Sequence, residues 1–186
     1  LRPDAAAIEE RYRRTYLAAV ARRTSALRGP AAVRAADEVA PDWTHVRRAW
    51  YAAIAHGDVD LLAQSLEGLS QLLLLKGWLR EGVDLLGDTA DGLRARDEGP
   101  GEAERRKLRA RVLIERARLL NVDCLYAGAR EAAEEAIRLV GAGGASGGSD
   151  RRPDVQAAAC REVGIALCGE GQIEEALGRL REALAL

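Results

Sequence analysis

Apolar residues recur every three to four positions along almost the whole chain. Val46, Ala49, Trp50 and Ala53 fall at i, i+3, i+4 and i+7, which places them on one stripe of an amphipathic helix. The leucine-rich segment 61–75 has an apolar face that is broader than one stripe. We find no sustained alternation of apolar and polar residues of the kind that marks a strand. The pattern therefore predicts an all-α fold of about nine helices.

Glycine, proline and aspartate divide this pattern into helices. In His56-Gly57-Asp58, the glycine predicts a helix end and Asp58 is expected to cap the next helix. His56 is expected to bind the carboxyl end of its own helix. Gly-rich residues 141–150 are expected to form a flexible linker. Helix starts are predicted at Asp4, Pro30, Asp42, Asp58, Glu102 and Pro153, and ends near Ala26, Val39, His56, Lys76 and Gly169.

Composition narrows the class of protein. Apolar residues make up 48% of the chain although Phe and Met are absent, so Ala and Leu must build the core. The formal net charge of −1 gives no overall attraction to nucleic acid or anionic lipid. No apolar run approaches the roughly 20 residues that span a bilayer, and the first 14 residues lack the apolar core of a secretory signal. Three cysteines within helical patterns favour reduced, buried thiols in the cytoplasm: Cys124, Cys160 and Cys168.

Parts of the chain repeat one another. Residues 76–90, KGWLREGVDLLGDTA, align with residues 170–184, EGQIEEALGRLREAL, so that turn glycines, glutamates, small residues and leucines coincide. Residues 124–137 follow the same order, but Cys124 replaces the turn glycine. A small residue early in the second helix lets the first helix cross close to it. These small residues are spaced by 47 positions: Gly82, Ala129 and Ala176.

This pattern resembles the tetratricopeptide repeat, a 34-residue helix–turn–helix unit. Residues 157–186 carry its small residues and turn glycine, residues 63–93 carry most of them, and residues 110–140 lack the glycine. The resemblance implies a right-handed α–α superhelix of stacked helix pairs. The residues at structural positions of the repeats are Ala49, Gly57, Gly77, Gly82, Ala117, Ala129, Gly164, Gly171, Ala176 and Ala183.

A narrower resemblance covers about residues 10–95. Trp43, Val46 and Arg47, followed by His56-Gly57-Asp58 and Glu81-Gly82, are similar to the helical-repeat sensor region of large bacterial regulators of the STAND class. That class includes relatives of LuxR-type and AfsR-type transcription factors. The resemblance implies that a nucleotide-binding domain, if attached, lies outside this chain, which lacks a phosphate-binding loop motif.

The repeats also predict a binding surface. In such an array, the first helix of each pair lines the concave side. Polar side chains of the fourth, sixth and eighth predicted helices should point there and form a mixed groove with several arginines. Such a groove suits an extended peptide with an acidic group, or an α-helix. The candidate groove residues are Gln64, Glu67, Gln71, Arg111, Glu115, Arg118, Asn121, Arg161 and Glu162.

Two basic stretches support an alternative function. Residues 11–34 and 105–118 are rich in arginine, so a nucleic-acid-contacting helical domain is the second hypothesis. The simpler interpretation is that both stretches are solvated helix faces, because we see no DNA-recognition helix and no aromatic side chains on which bases could stack. A helical enzyme is the third hypothesis, and it has only composition in its favour. His45 and His56 have no metal-ligand spacing, and no cysteine has a candidate base beside it.

We therefore expect two parts, N-terminal helices at residues 1–40 and repeats at residues 41–186, the first packing on the second. We expect a piece of a larger cytoplasmic protein, because the chain starts with Leu and stops inside a helical pattern. The expected function is a non-enzymatic sensor or protein-interaction module. It would need no cofactor or metal, and its partner would be a protein or peptide, another domain of the parent protein, or a second copy. No membrane partner is expected, and nucleic acid is disfavoured.

Overall fold

The structure, a computed structural model, describes residues 4–96, 99–142 and 153–186. Within these ranges the chain is all-α, with nine α-helices, one short 3₁₀ turn at Ala40–Asp42 and no strand. The prediction of an all-α fold is confirmed for this part of the chain. The helices are α1 (Ala5–Arg28), α2 (Ala32–Val39), α3 (Trp43–His56), α4 (Val59–Lys76), α5 (Leu79–Arg94), α6 (Glu102–Val122), α7 (Tyr126–Ala142), α8 (Pro153–Gly169) and α9 (Ile173–Ala185).

Most predicted boundaries lie within two residues of those observed, and the differences have local causes. Helix α1 starts after Asp4, whose Oδ1 accepts a hydrogen bond from the Ala6 N–H at 3.3 Å. It continues to Arg28, two residues past the predicted end, and stops at Gly29, which is extended because it precedes Pro30. Helix α2 starts at Ala32 rather than Pro30. Most of the predicted linker lies outside the described residues, and α7 already includes its first two positions.

The first compact unit ends at Trp78 and is built around α1. Helix α1 packs against α2, α3 and α4, and both α2 and α3 also contact α4. The close crossing of α1 and α4 depends on Gly68, because a Cβ added there would lie 2.8 Å from the Val20 carbonyl oxygen. Trp50 and Leu17 are fully buried. The predicted N-terminal helices α1 and α2 therefore pack on α3 and α4 within one unit.

The second unit begins at Leu79, and each of its helices packs on the next in chain order. Helix α6 also contacts α8, so the first helices of two consecutive pairs lie side by side. Small residues permit these contacts. Ala117 and Ala129 are fully buried. Gly164 of α8 faces Leu180 of α9, where an added Cβ would lie 2.7 Å from the leucine Cγ.

Four helix ends share one backbone geometry. After α3, α4, α6 and α8, the N–H of a loop residue donates to the carbonyl five residues earlier, at 2.8–3.0 Å. This hydrogen bond is typical of the Schellman motif, in which the residue just before the donor has a left-handed backbone conformation. Those residues are Gly57 (φ 74°), Gly77 (φ 67°), Cys124 (φ 59°) and Gly171 (φ 80°). Cys124 thus adopts the glycine conformation, as its place in the sequence alignment suggests.

Two predicted N-caps, Asp42 and Asp58, have the right position but do not form the capping hydrogen bond. Asp42 and Asp58 precede α3 and α4, but neither side chain bonds a backbone N–H of its helix. The Asp58 carboxylate instead accepts a hydrogen bond from Arg13 Nε at 2.7 Å. Arg13 is only 5% exposed, and a buried guanidinium needs a charged partner more than a helix start needs a cap. The role predicted for His56 is confirmed, since its Nδ1 lies 2.8 Å from the Ala52 carbonyl oxygen.

Candidate binding surface on α6 and α8

A buried polar pair joins α6 to α8. Asn121 lies in the last turn of α6 and is 8% exposed, while Glu162 of α8 is 2% exposed. Asn121 Nδ2 donates to Glu162 Oε2 at 3.0 Å and to the Glu162 carbonyl oxygen at 3.1 Å. A buried carboxylate is tolerated only when hydrogen bonds replace its lost water. The pair therefore fixes the relative position of the two helices at this point.

Arg161 completes the network from the solvent side. Its Nη2 and Nε donate to Glu162 Oε1 at 2.8 and 3.2 Å, so both carboxylate oxygens of Glu162 are engaged. The Arg161 side chain remains 55% exposed. An exposed guanidinium anchored from below can still bind a carboxylate or a carbonyl of a ligand. Asn121 Oδ1 is buried and has no hydrogen-bond partner among the described residues.

The other candidates on α6 follow the same helix stripe. Arg111, Glu115 and Arg118 are spaced by four and three residues, and Asn121 follows three residues later. All three are half-buried, and Arg118 Nη1 lies 3.7 Å from Glu115 Oε2. Six of the nine predicted groove residues are therefore connected. Four lie on this stripe of α6, and Glu162 and Arg161 of α8 are joined to Asn121 by hydrogen bonds.

The three candidates on α4 belong to the first unit. Gln64 is exposed, and Gln71 is half-buried. Glu67 forms an ion pair with Arg28 of α1. A single surface formed by all nine residues therefore stays a prediction, and the geometry described here is that of α6 and α8.

The structural repeat positions divide into two kinds. The turn residues Gly57, Gly77 and Gly171 are exposed and have left-handed backbones. The small helix residues are buried, apart from Ala183, which is half-buried. The buried members are Ala49, Gly82, Ala117, Ala129, Gly164 and Ala176.

Acidic neighbours offset much of the charge of the two basic stretches. In residues 11–34, five of the seven arginines form ion pairs, including that of Arg13 with Asp58. In residues 105–118, Arg109 is buried and pairs with Glu135 of α7. Further pairs in that stretch are Arg106 with Glu102, Lys107 with Glu104, and Arg118 with Glu115. Nine of the fourteen cations in the two stretches thus have an acidic partner that they would have to exchange to contact a phosphate.

An aromatic cluster between α1 and α3 was not predicted from the sequence. The Tyr16 and His45 rings stack with centroids 5.0 Å apart, and Tyr12 Oη lies 3.1 Å from His45 Nδ1. Arg48 lies over the Tyr12 ring at 5.7 Å. Burial raises the pKa of Tyr12, and Arg48 partly opposes that shift. The spacing of Tyr12 and Tyr16 places them on one helix face, but the sequence holds no signal that brings His45 to them.

The cysteines are only partly as predicted. Cys160 is buried, and burial raises the pKa of its thiol, with Glu182 adding to the shift. Cys124 and Cys168 are exposed, so the expectation of three buried thiols is wrong for these two. Both lie at or near helix ends, where the chain turns at the surface. The Cys124 thiol raises the pKa of Tyr126 through a hydrogen bond.

The described part of the chain carries neither a metal-binding cluster nor a membrane-spanning helix. No three His, Cys, Asp or Glu side chains there are grouped so that they could hold a metal ion. Among the same residues, no helix has both the length and the apolar character to cross a membrane. Comparison with protein-family models, curated proteins and solved structures gives no match.

Proposed function

We propose that this chain is a non-enzymatic helical-repeat module that binds a peptide or protein segment on the α6–α8 face. The observation that carries the proposal is the contact between α6 and α8, the first helices of consecutive pairs, closed by the buried Asn121–Glu162 bond. Stacked helix pairs place such first helices side by side along one face. The shared geometry of four helix ends supports a tetratricopeptide-like arrangement, and a right-handed superhelix is part of the proposal.

The chemistry of the face indicates the kind of ligand. Arg161 offers an exposed guanidinium, and Arg111 and Arg118 lie along the same side of α6. An extended peptide with an acidic side chain or terminal carboxylate fits these groups. The formal net charge of −1 gives no overall attraction to nucleic acid, which favours a peptide ligand.

The parent protein is proposed from the sequence resemblance. We place the module in a cytoplasmic bacterial regulator of the STAND class, where ligand binding by the repeats would control an attached output domain. The coding sequence on both sides of this segment tests this placement. A phosphate-binding-loop domain or a helix-turn-helix domain in the same reading frame is expected. A reading frame that holds neither domain would contradict the placement.

Peptide selection tests the binding proposal. Random peptides displayed on phage would be selected on the immobilised chain and counter-selected on Arg161→Gln, which can still donate to Glu162 but lacks the charge. Selected peptides should be enriched in Asp and Glu, and their affinity for Arg161→Gln should fall by roughly tenfold or more. Arg138→Gln is the matched control, because Arg138 is also an exposed arginine but lies on α7, the second helix of its pair.

Two results would contradict the proposal. One is the absence of any peptide that prefers the wild-type chain. The other is equal loss of affinity in Arg161→Gln and Arg138→Gln, which would indicate attraction by charge alone. A salt-titrated DNA-binding assay on the same proteins tests the alternative function, for which we expect no measurable affinity.

A further inference from the structure

Helix α9 leaves a row of large apolar side chains in solvent. Ile173 is 53% exposed, Leu177 is 46% exposed and Leu184 is 89% exposed. Their spacing of four and seven residues places them on one stripe that is three turns long. Such a continuous apolar row on a surface helix marks a contact surface more often than three scattered apolar residues would.

The two flanks of this row differ. On one side, Ala176 is fully buried and Leu180 packs over Gly164 of α8, so that flank is occupied. On the other side, Glu174 and Arg181 are exposed and lie seven residues apart, which is two turns on the same face. Neither has an ion-pair partner among the described residues, and the ion pair within α9 joins Arg179 to Glu182.

We propose that the row is a self-association surface on which α9 of a second copy packs antiparallel. In an antiparallel helix pair, equivalent flanks meet, so the free flank of one α9 lies beside the free flank of the other. A two-fold axis near Leu177 then places Glu174 opposite Arg181 of the partner subunit, twice per dimer. A parallel pair would bring opposite flanks together, and α8 already occupies one of them. The charge pattern thus selects one orientation.

The expected dimer is weak. Three apolar side chains per copy bury less than the roughly 800 Å² per partner of a standard stable interface. The two exposed ion pairs add orientation more than affinity. The dimer should therefore form reversibly and dominate only at high micromolar concentration or above.

Sedimentation equilibrium of the 186-residue chain over micromolar to millimolar concentrations tests the proposal. The wild-type chain should show a monomer–dimer equilibrium, and Leu177→Asp should be monomeric throughout. Glu174→Arg and Arg181→Glu should each weaken association by about tenfold, because each reversal creates two repulsive contacts by symmetry. The double variant with both reversals should regain the wild-type dissociation constant.

The matched control is Glu175→Arg. Glu175 is adjacent, exposed and in the same first turn of α9, but it lies off the row and its charged flank. Its reversal should leave the dissociation constant unchanged, with the circular dichroism spectrum confirming folding in every variant. The proposal is overturned if the wild-type chain is monomeric throughout, if the double reversal fails to restore association, or if Glu175→Arg weakens association as much as Glu174→Arg.

Discussion

At the scale of single residues, Cys124 occupies a position where the repeat pattern has glycine. It adopts the left-handed backbone conformation of that glycine, which is unfavourable for a residue with a side chain. Cys124 has φ 59°, where the other three equivalent helix ends have glycine. For an L-residue, this conformation costs about 1–2 kcal/mol, because the Cβ approaches the following carbonyl oxygen. The alignment of the internal repeats shows Cys124 in the place of the turn glycine. It does not show that Cys124 also has the backbone conformation of the other helix ends.

Replacing Cys124 by glycine should therefore stabilise the second unit. We expect Cys124→Gly to raise the free energy of unfolding by about 0.5–1 kcal/mol, the relief of strain being partly offset by the greater freedom of glycine in the unfolded chain. Urea denaturation followed by circular dichroism measures this change. Cys124→Ala is the control, since it removes the thiol but keeps the strained backbone. If both substitutions changed the free energy of unfolding equally, a left-handed backbone at residue 124 would be contradicted.

Asp58 is the residue at which the sequence was most misleading. A Gly-Asp pair before an apolar helix indicates an N-cap, but Arg13, 45 residues earlier, takes the carboxylate. Local pattern predicts local hydrogen bonds well, and it carries no information about a partner that only folding brings close. The same limit explains why the stacking of His45 on Tyr16 was not predicted.

A substitution of Asp58 distinguishes capping from ion pairing. Asp58→Ser supplies a side chain that can cap α4 but leaves Arg13 buried without a charge partner, so we expect a loss of about 1–3 kcal/mol of stability. Replacing Arg13 by Met in the same chain should recover most of that loss. Tryptophan fluorescence is a suitable probe, because all three tryptophans, Trp43, Trp50 and Trp78, lie in the first unit. Wild-type stability of Asp58→Ser would show that the ion pair contributes little.

At the scale of helices, the sequence largely predicts which segments are helical and where each helix begins and ends. It does not predict which distant helices pack together. Apolar periodicity and the turn glycines predict α4 and α9 closely, because both signals act within a few residues. The close crossing of α1 and α4 at Gly68 joins helices distant in sequence, and no repeat position marked that glycine. Gly164, in contrast, was assigned from the repeat pattern and lies at a tight contact.

The α8–α9 crossing gives a prediction at this scale. Gly164→Ala would place a Cβ 2.7 Å from Leu180 Cγ and 3.3 Å from the Ala176 carbonyl oxygen, so we expect about 1–3 kcal/mol of destabilisation. Gly178→Ala should instead stabilise the chain by up to about 1 kcal/mol, because that site on α9 is open and alanine favours helix.

A double-mutant cycle then assigns the cause of the Gly164→Ala effect. Leu180→Ala should cost less in the Gly164→Ala chain than in the wild type, since the smaller side chain relieves the clash. Thermal or urea denaturation of the four proteins provides the coupling energy. If Gly164→Ala and Gly178→Ala changed stability alike, the close crossing would be contradicted.

At the scale of the whole molecule, the two compact units divide between Trp78 and Leu79, at a helix turn. The predicted domain boundary near residue 40 came from the repeat resemblance, which says nothing about which helices pack most tightly. Within the second unit, the side-by-side arrangement of α6 and α8 brings Asn121, Arg161 and Glu162 together. These three were predicted from the register of the repeats, since that register assigns both helices to the same face.

The central claim is that the α6–α8 face binds a peptide, and hydrogen–deuterium exchange with and without a selected acidic peptide tests it most directly. Slower backbone exchange on binding should be concentrated in α6 and α8, around Asn121 and Arg161, and should disappear in Arg161→Gln at the same peptide concentration. Protection of other helices with none in α6 or α8, or equal protection in Arg161→Gln, would contradict the claim.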